Sequence, residues 1–219
     1  MTEGSDLMAN CTIPEKFFIF TNRNRFGVPE STAGSKSFVS AAYAACRINE
    51  SFAQKYRDGT VNYLPFQPQE SDLPNVPEHI LSVDTGFRLE YDGESIRREF
   101  YPFAPSRVSA IYAFGDEEAC KHAHDYYSWD VRSVRRARLS ADSYVRVWRV
   151  NMEIVSILRE IYAASRSVGR YSDTWKSYWA GEGSRSIRLP KEITHSGRRT
   201  VSTGVIWQYL IEGKLDVVD

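Results

Sequence analysis

Pro105-Ser-Arg-Val-Ser-Ala-Ile-Tyr-Ala-Phe-Gly-Asp-Glu-Glu-Ala119 reads as a polar-headed strand running into a helix. Val108, Ala110, Tyr112 and Phe114 alternate with Ser109, Ile111 and Ala113, which gives one large-residue face and one smaller face, the pattern of a strand buried on both sides. Gly115 breaks the run, and Asp116 is a good N-cap. Glu117 and Glu118 place negative charge in the first helical turn, and Ala119, His122, Ala123 and Tyr126 recur at helical spacing. Ser106, Arg107 and Ser109 therefore head a rigid element, where a guanidinium fork and two hydroxyls can bind a phosphate or a ribose at little ordering cost. The same residues also fit a solvated turn that only leads into a core strand.

Toward the N-terminus, Ile80–Val83 and Phe87–Tyr91 are short strand candidates, and Tyr91-Asp-Gly-Glu94 carries the Asp-Gly signal of a hairpin with Ile96–Phe103. Residues 64–78 hold four prolines, Pro65, Pro68, Pro74 and Pro77, and read as a long ordered loop, a lid or binding loop being the functional alternative. Phe38, Ala42, Cys46, Ile48, Phe52 and Tyr56 trace a helical stripe from Ser37, with Ser35 or Ser37 as cap and Asp58-Gly59 as stop. Phe17–Phe20 is a β-prone run that delivers Thr21, Asn22 and Arg23 to an edge. Residues 1–12 are small and polar and read as a mobile leader to a single domain spanning 13–219.

Toward the C-terminus, Arg132, Arg135, Arg136 and Arg138 form the one concentrated basic cluster. No base-stacking aromatics are interleaved, so a solvated face paired with Asp130 and Asp142 is favoured over a nucleic-acid surface. Tyr144–Val150 alternates like a strand, and Val155, Leu158, Ile161 and Tyr162 give a helix over 152–165. Trp175, Tyr178 and Trp179 form an aromatic group that fits either a core or a ring-stacking surface. Val205–Ile211 and Leu215–Val218 read as closing strands around Glu212-Gly-Lys214.

Composition bounds the rest. The 219 residues allow one domain with a substantial core, and 42% hydrophobic with 26% charged residues is ordinary for a globular chain. Lys plus Arg equals Asp plus Glu at 28 each, which removes any global electrostatic case for wrapping nucleic acid or lying on an anionic membrane. Cys11, Cys46 and Cys120 are an odd number at wide spacing, which fits neither a disulfide framework nor a zinc motif, so buried or partly buried free thiols are expected at Cys46 and Cys120. No apolar run reaches membrane-span length and the first residues lack signal-peptide character, which points to a cytoplasm, the protein's own or a host's. Neither a P-loop, a Rossmann fingerprint nor Gly-x-Ser-x-Gly occurs, and His122 and His124 point to different helix faces, a poor metal pair.

Three segments together carry a resemblance: Lys16-Phe-Phe-Ile-Phe-Thr-Asn-Arg-Asn24, the Pro105-Ser-Arg-x-Ser109 start with its apolar strand and acidic helix opening, and Trp207-Gln-Tyr-Leu-Ile-Glu-Gly213. Their order is similar to that of small ADP-ribosyltransferase-like proteins of the bacterial or phage NAD-utilising kind. The resemblance implies an α+β fold with a split, mostly antiparallel two-sheet core and flanking helices. It also implies NAD as substrate, nicotinamide release, and transfer of ADP-ribose to an unidentified acceptor or to water, as in toxins and effectors. On it, Gln208, Ser109 and Arg107 take the catalytic positions, and Thr21, Asn22, Arg23, Ser106, Tyr112 and Trp179 contact NAD. Gln208 stands where such enzymes commonly carry a glutamate. An amide keeps the hydrogen bond to the ribose 2′-hydroxyl but loses the charge that stabilises an oxocarbenium-like state, an effect of roughly 3 kcal/mol in a desolvated site. Glu182 and Glu212 are the alternative carboxylates, and a catalytically silent nucleotide- or protein-binding module is the alternative function.

Overall fold

The computed structural model describes residues 8–21, 36–64, 84–164, 171–193 and 199–218. Its strands are β1 (Met8–Ala9), β2 (Phe17–Phe20), β3 (Ser37–Val39), β4 (Ile111–Ala113), β5 (Val134–Leu139), β6 (Arg146–Asn151), β7 (Ser186–Arg188), β8 (Thr200–Ser202), β9 (Trp207–Glu212) and β10 (Lys214–Val217). Among the described residues six α-helices accompany them: α1 (Ala41–Ile48), α2 (Glu50–Arg57), α3 (Asp84–Phe100), α4 (Glu117–Tyr127), α5 (Met152–Ala164) and α6 (Ser172–Trp179). The fold is mixed α+β. One sheet has the order β1-β6-β9-β4, a second has β2-β5-β10-β3, and β7 pairs with β8. Among the described residues every pairing is antiparallel except β1 with β6. β9 and β10 follow one another across Gly213 yet lie in different sheets. The sheets also touch through Phe18 and Phe114, whose backbones exchange hydrogen bonds of 2.9 and 2.8 Å.

Alternation along the strands sorts the core into layers. Val147 of β6, Tyr209 and Ile211 of β9 and Ala113 of β4 face Phe17, Ile19, Ala137 and Leu215 of the second sheet, forming an apolar layer between the sheets. On the opposite face of the first sheet, Val150 and Leu210 pack under α3, α5 and α6 with Leu89, Ile96, Ile154, Leu158, Trp175 and Trp179. Each such fully buried side chain contributes roughly 1.5–3 kcal/mol. Phe20, Phe114, Met152 and Ile206 join Ala119, Cys120 and Ala123 of α4 at one end of the split. Among the described residues no helix is long and apolar enough to cross a membrane.

Several expectations need correction. The central strand is shorter than its alternation suggests: residues 107–109 form a turn, and Val108 packs against α1 and α2. The helix after it does start as read, with Asp116 accepting from the Ala119 amide at 2.7 Å. The stripe from Ser37 to Tyr56 is a strand and two helices. Ser40 caps α1, and Asn49 both closes α1 and caps α2 through its side chain, because an Asn carbonyl competes with the helical ladder. Ile48, placed on the stripe, is 82% exposed as a result.

The hairpin over Phe87–Phe103 is absent, since Asp84–Phe100 is one helix. Gly93 is not a turn residue: a Cβ there would lie 2.8 Å from Cη2 of the buried Trp175, and the Trp179 indole donates to the Gly93 carbonyl at 2.9 Å. The glycine lets α6 lie against α3, and the tryptophan burial offsets its helix cost of about 1 kcal/mol. The supposed leader also contributes structure, because Met8–Ala9 pair with β6. The Ile80–Val83 strand, the proline loop beyond Leu64, Asn22 and Arg23 lie outside the described residues. Short β7 and β8 carry too weak a pattern to be expected from sequence.

Candidate functional site

β9 carries polar side chains at both ends of its helix-covered face, Gln208 and Glu212, with Leu210 between them. At the Glu212 end the chain builds a sealed charge cluster. Glu212 is fully buried; its Oε1 accepts from the Ser109 hydroxyl and from the Ser106 amide at 3.1 Å. The Ser106 hydroxyl donates at 2.9 Å to Glu94, which also receives a bidentate Arg97 at 2.9 and 2.7 Å. Arg97 spends its remaining amino group on the carbonyls of Pro102 and Ala104. Arg107 closes its fork on Glu90 at 2.9 and 3.0 Å and donates to the Tyr178 hydroxyl at 2.7 Å. Arg146, opposite Glu212 in register, lies 3.6 Å over the Tyr56 ring and donates to the Tyr56 carbonyl.

Three arginines thus balance three glutamates, all buried. Burial opposes the charge on Arg97 and Arg107, yet Glu94 and Glu90 hold both guanidiniums above their ordinary range. Burial, then Glu212, pushes the Tyr56 and Tyr63 hydroxyls up. Ser106, Arg107 and Ser109 serve this architecture, so Arg107 is not the free phosphate fork its sequence context suggested. The cluster went unseen because Glu90, Glu94 and Arg97 share a face only if the segment is helical.

The other end of β9 is different in kind. Gln208 is buried and pairs across from Val150. Thr21 at the end of β2 donates from its amide and hydroxyl to the Ser133 carbonyl at 3.0 and 2.8 Å. Phe20 and Ile206, their near neighbours in sequence, share one cluster, so Thr21 and Gln208 lie at the same end of the sheets, with the Gln208 side chain on the helix-covered face of β9. Asn151 clamps this end: its amide donates to the carbonyls of Gly183 and Gly204 at 3.1 and 2.8 Å and accepts from the amides of Glu153 and Ile206 at 3.1 Å each.

The expected site residues therefore fall into two groups. Four residues of strand separate Gln208 from the Glu212 that Ser106 and Ser109 bind, a span of about 13 Å. Tyr112 lies between, half-buried, its hydroxyl on the Arg107 carbonyl at 2.6 Å. Trp179 is fully buried against Tyr178 at 4.9 Å between ring centroids, which makes it core rather than a ring-stacking surface. Glu182 pairs with Arg185 at 3.2 Å.

Arg132, Arg136 and Arg138 pair with Asp130, Glu117 and Glu15. Asp142, expected among those partners, instead serves Arg47 and Tyr43. Cys46 and Cys120 are buried free thiols, each pushed up to about 12 by burial. Among the described residues no group of three His, Cys, Asp or Glu side chains is placed to hold a metal ion. No model of a known protein family matches the chain, and a search of curated proteins finds no match either.

Proposed function

We propose that the protein binds NAD at the end of the first sheet where Thr21 and Gln208 lie and releases nicotinamide from it, passing ADP-ribose to an unidentified acceptor or to water. The observation that carries this reading is the placement of β2, β4 and β9 side by side, with the sheets joined through the Phe18–Phe114 bridge and with Thr21 and Gln208 at the same end. That arrangement fits the split two-sheet core implied by the sequence resemblance. Gln208 would hold the ribose 2′-hydroxyl, with Asn22 and Arg23 as further contacts following Thr21. Without a carboxylate there, turnover is expected to be slow.

A binding module on the same fold is the second reading, and a specific observation favours it. The one carboxylate on β9, Glu212, is closed behind Ser109 and Ser106, and Arg107 is neutralised by Glu90. Calorimetric titration with NAD alongside a nicotinamide-release assay separates the two. Binding with slow release that rises in Gln208→Glu supports the enzyme; binding with no release in either form selects a nucleotide-binding module; no NAD binding overturns both of these and leaves protein recognition. The paired arginines disfavour nucleic acid as acceptor, and a cytoplasm, own or host, supplies the NAD.

A further inference from the structure

We propose that Arg149 and Trp207 form an oxyanion-binding site at the end of the inter-sheet layer, on the face of the first sheet opposite Gln208. The site takes a phosphate or carboxylate group and stands independently of the NAD reading. Arg149 follows Val145 and Val147 on the inward face of β6, and Trp207 precedes Tyr209 and Ile211 on that of β9. There the layer passes from buried side chains to the half-buried Asn10, Cys11, Arg149 and Trp207.

Arg149 is unlike the three arginines of the Glu212 cluster. Its guanidinium lies 4.3 Å over the Trp207 ring, and among the described residues no carboxylate pairs with it. Its Nε is buried without a hydrogen-bond partner among those residues. A buried charged donor left unmatched costs more than an ordinary lost hydrogen bond, so the group calls for an acceptor. The neighbours it does face are the Tyr209 hydroxyl and the Cys11 thiol. Asp116, the acid in reach of Tyr209, is spent as the cap of α4.

The position is also fixed in advance. The Asn10 side chain accepts from the Arg149 amide at 2.7 Å and donates to the Arg149 carbonyl at 3.0 Å, continuing the β1 edge by one side chain. Contact with the indole, 4.3 Å away, steadies the guanidinium for a planar or tetrahedral oxyanion. A rigid fork of this kind loses little freedom on binding.

The test is nitrogen-15 NMR of the full chain, following the Arg149 Nε–H and the Trp207 indole N–H during titration with inorganic phosphate and, separately, acetate. Both resonances are expected to shift and saturate with at least one of the two, which also tells a phosphate ligand from a carboxylate. Arg149→Gln is expected to weaken binding about 10- to 100-fold, the scale of a charge-assisted hydrogen bond. Arg149→Lys keeps the charge but not the fork and is expected to fall between, while Trp207→Leu weakens binding by about 2- to 5-fold. Circular dichroism checks that each variant is folded. Resonances that stay still in both titrations, or equal binding by wild type and Arg149→Gln, overturn the site.

Discussion

The two ends of β9 solve opposite problems with the same strand. At Glu212, burial is tolerated because most of the charge is matched: Arg97 pairs with Glu94 and Arg107 with Glu90, and Ser109 and Ser106 donate to one oxygen of Glu212, whose other oxygen has no partner among the described residues. At Gln208 the side chain is neutral, and the surroundings are held by Asn151 and an apolar cluster rather than by ion pairs. The chain thus commits its inner carboxylates to architecture at one end and leaves uncharged polar groups at the other. A catalytic carboxylate in the split would sit beside no arginine of the cluster, which lies about 13 Å along the strand.

The comparison breaks most readily at the charged end. Arg97→Ala and Arg107→Ala each strand a buried glutamate and are expected to lower stability by about 3–5 kcal/mol, read by urea denaturation. A replacement of Glu94 and Arg97 together by leucine is expected to cost much less, since it removes both charges at once. An equal loss in the double variant would show that packing, not charge matching, holds this end. Ser109→Ala removes one of two donors to Glu212 and is expected to cost about 1–3 kcal/mol in the same assay.

How far the sequence could be read follows the same division. The strands around Gln208, the Asp116 cap and α5 were legible because each rests on local periodicity or a short-range cap. The charge cluster was not: Glu90, Glu94 and Arg97 meet only on a helix, and Glu212 is reached by Ser106 and Ser109 from over a hundred residues away. Asp92-Gly93 misled for a related reason: the signal for a turn is identical to the signal for a close helix contact unless Trp175 is known to arrive there. Gly93→Ala is therefore expected to destabilise by about 1–3 kcal/mol through overpacking, although alanine is the better helix former. A stabilised variant would mean that Trp175 moves freely.

The smallest effect near neutral pH belongs to two thiols, one at each end. Cys46 belongs to the apolar cluster of α1 and α2 and feels Glu212; Cys120 lies on α4 and feels Asp116 and Glu117. Burial is the leading cause in both, raising each from 9.0 to about 12. A thiol whose folded value is raised keeps its proton in the folded chain after the unfolded chain has lost it. Its contribution is therefore complete below pH 9.0 and is lost as pH rises toward about 12. Denaturation midpoints of wild type and of Cys46→Ala and Cys120→Ala are expected to run parallel through neutrality, with the wild type losing ground to each variant only above that lower bound. Glu212→Gln then separates the ends: it removes a negative charge that Cys46 feels and Cys120 does not. The Cys46 thiol should react faster with an alkylating reagent at alkaline pH, with Cys120 unchanged. Equal acceleration of both would mean that the variant loosens the whole fold, and that the Glu212 cluster and the Gln208 end are a single structural unit.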